Sequence, residues 1–399
     1  MHPSRRIHAA KSEKLKGKTI VLGVTGSIAA VETVKLSREL IRHGAEVVPI
    51  LSKDAMEILH PNALQFATGR VPVTKLDGSV PYIELVGSGG RADLLLVAPA
   101  TSNTVAKIAM GIDDTVVTTF AQNALGAGIP IMIAPAMHET MYANPLIMGH
   151  VKALEKLGVE FVSPRMEEDK AKLADVEEIV ERVIRRIGTR ELAGKRVVVI
   201  TGSTMEPNDD VRLVTNRSSG ETGIEIAKAA FEKGADVELW LGHHHGTAPA
   251  YIPAKTFETT KNLVALTDAL WADVCAVPAA ISDFAPVKAK GKIPSRKGGI
   301  TLDLQPTPKV LPALRKGSRF LVGFKAEAGV SAAELKSRAT ALLKEASLDL
   351  VVANDVHRVG KDTTSILILD RKGRGEAFEG TKAHAAERIW RAVLHGLNR

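Results

Sequence analysis

At 399 residues, 45% of them hydrophobic and 25% charged, the chain is long enough for two packed domains and ordinary for a globular protein. No run approaches the ~20 apolar residues that span a bilayer, and the start lacks the apolar stretch of a signal peptide. One cysteine excludes an intrachain disulfide and a cysteine-based zinc site, which makes a reducing cytoplasm the expectation. The net charge of +8 comes with only 4% aromatic residues to stack on bases, which ranks small phosphorylated anions and plain solvation above nucleic acid.

In chain order, residues 1–16 read as a loosely ordered polar leader. Residues 18–25 form a strand broken by Gly26 and Ser27, and residues 30–43 a helix with Val31, Val34, Leu36 and Leu40 as its buried side. A second strand at 47–51 ends in Ser52, either a helix cap or a group at the mouth where ligands bind in such sheets. Residues 82–86 make a short strand-like piece. The buried strand 94–98 is followed by Pro99-Ala-Thr-Ser-Asn-Thr104 and a helix at 105–110, a small polar loop that suits a ligand or a well-capped turn. Beyond the strand at 130–134, Met137, His138, Met141 and Tyr142 sit at a loop tip, where apolar side chains would otherwise face water. Residues 175–189 form a helix of alternating charge, and 189–194 a linker.

A second strand-and-turn follows. Gly194-Lys-Arg-Val-Val-Val-Ile-Thr-Gly-Ser203 echoes Gly17-Lys-Thr-Ile-Val-Leu-Gly-Val-Thr-Gly-Ser27, and the pattern around Arg91-Ala-Asp93 recurs around Trp271-Ala-Asp273. A repeat this long means two domains of similar build. Each alternates short apolar strands with helices, which predicts an α/β protein of two tandem Rossmann-like domains with parallel sheets, over residues 1–190 and 191–399. In the second, the polar segment 206–210 is expected outside the core, and a helix after Gly220 buries Ile224, Ala227, Ala230 and Phe231. Small residues releasing N–H groups between strand and helix are how such proteins hold phosphate. Cys275 reads as a core residue, and His243-His-His245 as a polar loop rather than a metal site.

These segments carry a resemblance. Val24-Thr-Gly-Ser-Ile-Ala-Ala30, Ala98-Pro-Ala-Thr101 and Pro135-Ala-Met137 with Met141 resemble the flavin mononucleotide (FMN)-dependent cysteine decarboxylases. Together with Asn216-Arg-Ser-Ser-Gly220, Ala279-Ala-Ile-Ser-Asp283, Lys292-Ile293, Gly323-Phe324 and Ala353-Asn-Asp355, the whole chain resembles the bifunctional phosphopantothenoylcysteine decarboxylase and phosphopantothenate–cysteine ligase family of coenzyme A biosynthesis, nearer its archaeal branch. The resemblance implies a flavodoxin-like first domain in which Gly26, Ser27, Ile28, Ser52, Thr101, Ser102, Asn103, Thr104, Ala136 and Met137 hold FMN. Oxidation of the cysteinyl side chain to a thioaldehyde then lets carbon dioxide leave.

For the second domain it implies activation of a carboxylate by CTP. Asn216 would handle the acyl-cytidylate, Asp283 the nucleotide and a Mg²⁺ ion, and Lys292 the triphosphate. Val277, Pro278, Ala279, Pro308, Lys309, Val310, Leu311, Phe324 and Lys344 would complete the CTP site. A homo-oligomer with trimeric flavin domains and dimeric ligase domains is implied as well.

The chain departs from the family pattern at several points. Tyr82 stands where a histidine is usual, His138 where bacterial members have asparagine, and no cysteine lies near residues 170–174, which leaves Lys170 or Lys172 to donate a proton. Tyr82 and His138 are the candidate catalytic residues of the first half. Glu221 replaces a lysine, and Lys344 is offset. The rival readings are a ligase whose flavin domain serves as a scaffold or regulatory partner, and a binding protein in which neither half turns over.

Overall fold

The computed structural model describes residues 2–294, 299 and 301–398. The chain divides into two compact units, Met1–Thr189 and Arg190–Arg399.

The first unit is built on a five-stranded parallel sheet in the order Glu46–Leu51, Thr19–Val24, Leu94–Ala100, Ile131–Pro135, Glu160–Phe161. The two central strands are buried along their whole length, as continuous apolar runs in a doubly covered sheet must be. Helices Thr33–Arg42, Pro61–Thr68 and Val176–Ile187 cover one face, and Ser102–Met110, Val116–Ala127 and Pro145–Lys156 the other. This is the flavodoxin-like strand order, with its switch point between Thr19–Val24 and Leu94–Ala100.

The second unit has an eight-stranded sheet: Ala254–Thr256, Asp236–Leu241, Arg196–Thr201, Ala272–Val277, Ser318–Glu327, Leu350–Asp355, Thr363–Asp370, Gly375–Thr381. Its first six strands are parallel in the 3-2-1-4-5-6 order of dinucleotide-binding folds, and the last two turn antiparallel. Glu221–Glu232 and Lys382–Leu397 pack on one face, where the Trp390 indole donates to the Ile226 carbonyl at 2.8 Å. Thr260–Thr267, Val310–Gly317 and Ala332–Glu345 cover the other.

The echo between the halves has a structural cause at the amino edges of the sheets. Asp93 accepts the Thr19 N–H at 2.8 Å and the Lys18 ammonium at 2.9 Å, and Asp273 accepts the Arg196 N–H at 2.9 Å. In each half the carboxylate of the third or fourth strand fastens the start of the first.

Four expectations are corrected. The expected loose leader at 1–16 is, over its described residues 2–16, packed on the unit: Leu15 is fully buried, a side-chain burial that stabilises by ~1.5–3 kcal/mol, and Ser12 bonds the His43 ring at 2.7 Å. Residues 82–86 are helical, within Pro81–Val86, because Pro81 starts a turn and so short an apolar run does not by itself choose between strand and helix. Val31 is half exposed, since residues 28–32 form a 3₁₀ turn and the α-helix starts only at Thr33. The segment 206–210 holds the buried side chains Glu206, Asn208 and Asp209, because its carboxylates find donors inside the fold.

Candidate active sites

In the first unit the loops after the first and third strands converge at the switch point. Thr25 ties them together, donating its hydroxyl to the Pro99 carbonyl at 2.8 Å and accepting the Thr101 N–H at 3.0 Å. Gly26 must be glycine: a Cβ there would lie 2.5 Å from the Cβ of Asp54 in the Lys53–Met56 turn. Ser27 precedes a 3₁₀ turn with its hydroxyl free of a cap bond, while Thr101 caps the Ser102–Met110 helix. Helix starts beside a glycine turn favour an anion.

Gly26, Ser27, Ile28, Thr101, Ser102, Ala136 and Met137 line a single cavity of about 830 Å³, within the size range of small-molecule sites. Three of the expected flavin residues do not line it. Ser52 spends its hydroxyl on the Ala55 N–H, Thr104 bonds the Thr101 hydroxyl, and Asn103 is exposed. The apolar wall of Ile28, Val31 and Met141 beside hydroxyl and N–H donors fits a flavin, which needs both a ring surface and a phosphate seat.

A small antiparallel sheet of Met137–His138, Lys170–Lys172 and Arg165–Glu167 borders the same cavity. Its hairpin turns at Glu168 and Asp169, both with positive φ, the geometry of a tight two-residue turn. The register sets His138 opposite Lys170. Lys172 is held by Glu168 at 2.8 Å and Glu167 at 3.2 Å, and these bonds raise its pKa. Lys170 makes no ion pair among the described residues, which leaves it the better placed of the two lysines. Tyr82 is elsewhere. It packs edge-on to Phe120, centroids 6.3 Å apart, in the core on the opposite face of the sheet, so within one chain it does not join His138.

In the second unit the switch point lies between Arg196–Thr201 and Ala272–Val277. Thr204 donates its hydroxyl to Ser282 at 3.0 Å and accepts the Ser282 N–H at 2.9 Å, and Thr215 donates to the Thr204 carbonyl at 2.7 Å. These bonds bring Asn216 against the segment containing Asp283: its amide donates to the carbonyls of Ala280 and Ile281 at 3.4 and 3.3 Å. Asn216 also lines a cavity of about 470 Å³ with Thr215, Arg217, Ser218, Ser219, His243 and His245.

Asp283 pairs with Lys309 at 2.7 Å, which raises the lysine's pKa; both side chains are 70% exposed. Pro308 and Lys309 lead into the Val310–Gly317 helix, Val277 stands opposite Gly323, and Pro278 and Ala279 follow at the same rim. Exposed Lys344 closes the Ala332–Glu345 helix, next to Glu345, whose charge also reaches Lys309. Phe324 reaches this edge from the other side: it packs with the core under Glu221–Glu232 and Lys382–Leu397, whereas Val310 and Leu311 belong to the opposite face.

Lys292 is set apart. Two hairpins, Met205–Pro207 with Leu213–Thr215 and Phe284–Pro286 with Leu304–Pro306, run outward from the rim. Asn216 and Asp283 stand at their roots. The segment carrying Lys292 is bound to the tip of the first hairpin, three residues of strand or roughly 10 Å further out.

Sequence reasoning missed what holds that tip. Asp209, fully buried, accepts the N–H groups of Val211 (2.8 Å), Arg212 (2.6 Å) and Ile293 (3.1 Å) and the Arg212 guanidinium (2.6 Å). Burial pushes its carboxyl up, but these donors outweigh burial and hold it well below the usual carboxylate range. Asp210 pairs with Lys288 at 2.8 Å, its carboxylate accepts the Gly291 N–H at 3.1 Å, and its own N–H donates to the Gly291 carbonyl at 3.3 Å. The available signal was the Asp-x-Val-Arg spacing, an acceptor two residues before a free N–H, which is ordinary Asx-turn chemistry.

Among the described residues no three histidine, cysteine or acidic side chains converge as a metal site. Asp283 as a lone carboxylate still suits Mg²⁺, which takes one or two carboxylates and fills its shell from phosphates and water. Cys275 is fully buried, and burial pushes its thiol up to about 12. No described helix is long and apolar enough to cross a membrane.

Comparison with known proteins matches residues 8–188 to the Flavoprotein family and residues 192–397 to the DNA/pantothenate metabolism flavoprotein C-terminal domain. Coenzyme A biosynthesis bifunctional protein CoaBC of Thermococcus kodakarensis is 46% identical over 399 aligned residues, 98% of each chain. That of Methanocaldococcus jannaschii is 38% identical over 98% of this chain and 96% of its own. A crystal structure of the C-terminal domain of a CoaBC protein covers 53% of this chain and 99% of its own at 26% identity and a TM-score of 0.43. With both domain families in order and relatives aligned from end to end, the chain belongs to the bifunctional CoaBC family of coenzyme A biosynthesis.

Proposed function

We propose that the chain runs two reactions, each at the carboxyl edge of its own sheet. It is a bifunctional phosphopantothenoylcysteine decarboxylase and phosphopantothenate–cysteine ligase. The ligase half condenses 4′-phosphopantothenate with cysteine, and the flavin half decarboxylates the product to 4′-phosphopantetheine. What supports this most is that Gly26, Ser27 and Thr101 in one half, and Asn216 and Asp283 in the other, stand at switch points, where α/β sheets bind ligands.

FMN, when bound, supplies the reversible two-electron oxidation of the cysteinyl side chain that makes loss of carbon dioxide feasible. The Gly26–Ser27 turn and the Thr101 helix start seat its phosphate, and Met137, Met141 and Ile28 exclude water from the ring. His138 and Lys170, facing each other across the small sheet, hold and move the proton. Lys172, engaged by two glutamates, shapes the turn instead.

In the ligase half a carboxylate must be activated before an amine can displace oxygen in water. CTP forms an acyl-cytidylate with release of pyrophosphate, and the cysteine amine then closes the amide with release of CMP. Asn216 holds the acyl-cytidylate, and Asp283 would carry the Mg²⁺ that offsets the charge of the nucleotide phosphates. Lys309 transfers from Asp283 to phosphate when the nucleotide arrives. So exposed an ion pair is worth only about 0–1 kcal/mol, so the exchange is inexpensive. Lys292, at the hairpin tip, meets the triphosphate.

The test measures the two half-reactions separately: pyrophosphate release that requires CTP, 4′-phosphopantothenate and cysteine together, and carbon dioxide release from supplied 4′-phosphopantothenoylcysteine. Both are expected. Ligation without carbon dioxide release would reduce the flavin half to a scaffold.

A further inference from the structure

The run His243-His-His245 follows the Asp236–Leu241 strand, at the carboxyl edge beside the Asn216 loop. It is pinned in place. His243 and Ser203 exchange backbone bonds at 2.9 Å in both directions, and the N–H groups of His245 and Gly246 both reach the Ser219 carbonyl, at 3.1 and 3.0 Å. Extended backbone then sends alternate side chains opposite ways. His243 and His245 line the cavity of about 470 Å³, while the Cβ of His244 lies against Gly220.

The two lining rings stand edge to face, centroids 5.0 Å apart, and neither has a hydrogen-bond partner among the described residues. The rest of the lining is Asn216, Arg217, two serines and a threonine, with no carboxylate. Glu221, the nearest acid in sequence, is engaged by the buried Lys382. An imidazole offers an N–H donor in either tautomer and two when charged, and a guanidinium, hydroxyls and imidazoles around an acid-free cavity suit a phosphoryl group.

We propose that His243 and His245 bind a phosphoryl group of a ligase substrate in the Asn216–Ser219 cavity. The inference rests on the reading of Asn216 as part of the ligase site. The phosphoryl group belongs to one of two ligands, the triphosphate of CTP or the phosphate of 4′-phosphopantothenate.

The test is calorimetric binding of Mg–CTP, of 4′-phosphopantothenate and of unphosphorylated pantothenate to the full chain, to the double variant H243Q/H245Q and to H244Q. The double variant is expected to bind one phosphorylated ligand about 10-fold more weakly, as loss of charge-assisted bonds predicts. The ligand that weakens identifies the source. Pantothenate binding and H244Q stay at the wild-type level. If the wild type binds both phosphorylated ligands and the double variant matches it within about two-fold, this inference falls alone. If the wild type binds neither, the reading of the ligase site falls with it. Should the double variant not fold, the ring resonances of His243 and His245 in the wild type serve instead: they shift on addition of the bound ligand, and unmoved resonances overturn the proposal.

Discussion

The two halves share a frame and differ in how complete each site is. In the first, the glycine turn, the capped helix and the small sheet with His138 and Lys170 all border one cavity of about 830 Å³. In the second, Asn216 and Asp283 sit at the roots of two hairpins whose tips carry Lys292, and the nearest cavity is about 470 Å³. A site lined from one set of loops is sensitive to the shape of a turn. A site spread along hairpins is sensitive to whatever fixes their tips.

That contrast can be broken from either side. Asn216→Asp exchanges a donor for a charge where an anionic intermediate sits and is expected to cut pyrophosphate release by about 10²–10³-fold with flavin content unchanged; full ligation would remove Asn216 from the reaction. Gly26→Ala places a methyl group against Asp54, and the purified protein is expected to lose most of its flavin colour while ligation continues. Undiminished colour would mean that the turn does not seat the phosphate.

Lys170→Ala is expected to slow carbon dioxide release or product reduction by about 10²-fold, the scale of a positioned acid, and Lys172→Ala by only a few-fold. Equal losses would contradict the assignment drawn from the paired glutamates. Asp209→Asn sharpens the comparison: faster hydrogen exchange at the Ile293 N–H and a KM for CTP raised about ten-fold are expected, with the KM for cysteine unmoved. An unchanged exchange rate would show that the tip is fixed by other bonds.

The smallest effect concerns the first unit alone. Burial, with Lys14 next, lowers His43 to about 4, so its neutral form is the folded one. A depressed histidine contributes stability that is complete above the unfolded value near 6.5 and is lost as pH falls toward 4. The loss should reach ~3 kcal/mol at most in unfolding titrations, and His43→Gln should flatten that slope.

Much of the frame was legible because burial on both faces leaves a continuous apolar run, and each rim begins at a glycine or proline. Gly26, Thr101, Asn216 and Asp283 could be placed for that reason. What escaped was long-range satisfaction of polar groups. Asp209 looks like a surface residue until the N–H of Ile293 arrives from 84 positions away. Tyr82 misled in the other way: a short apolar run has no period to read, and Pro81 made it a helix whose aromatic ring found Phe120. His243 and His245 reach one cavity only because two other loops pin the backbone between them.

Asp93 and Asp273 fasten their sheets at the end remote from every reacting group. Assembly and turnover are therefore entrusted to opposite ends of each strand, and a lineage can rewrite one without disturbing the other. An exchange at the carboxyl rim, at Asn216 or Lys170, bears on the chemistry without touching the bonds that fasten the strand starts.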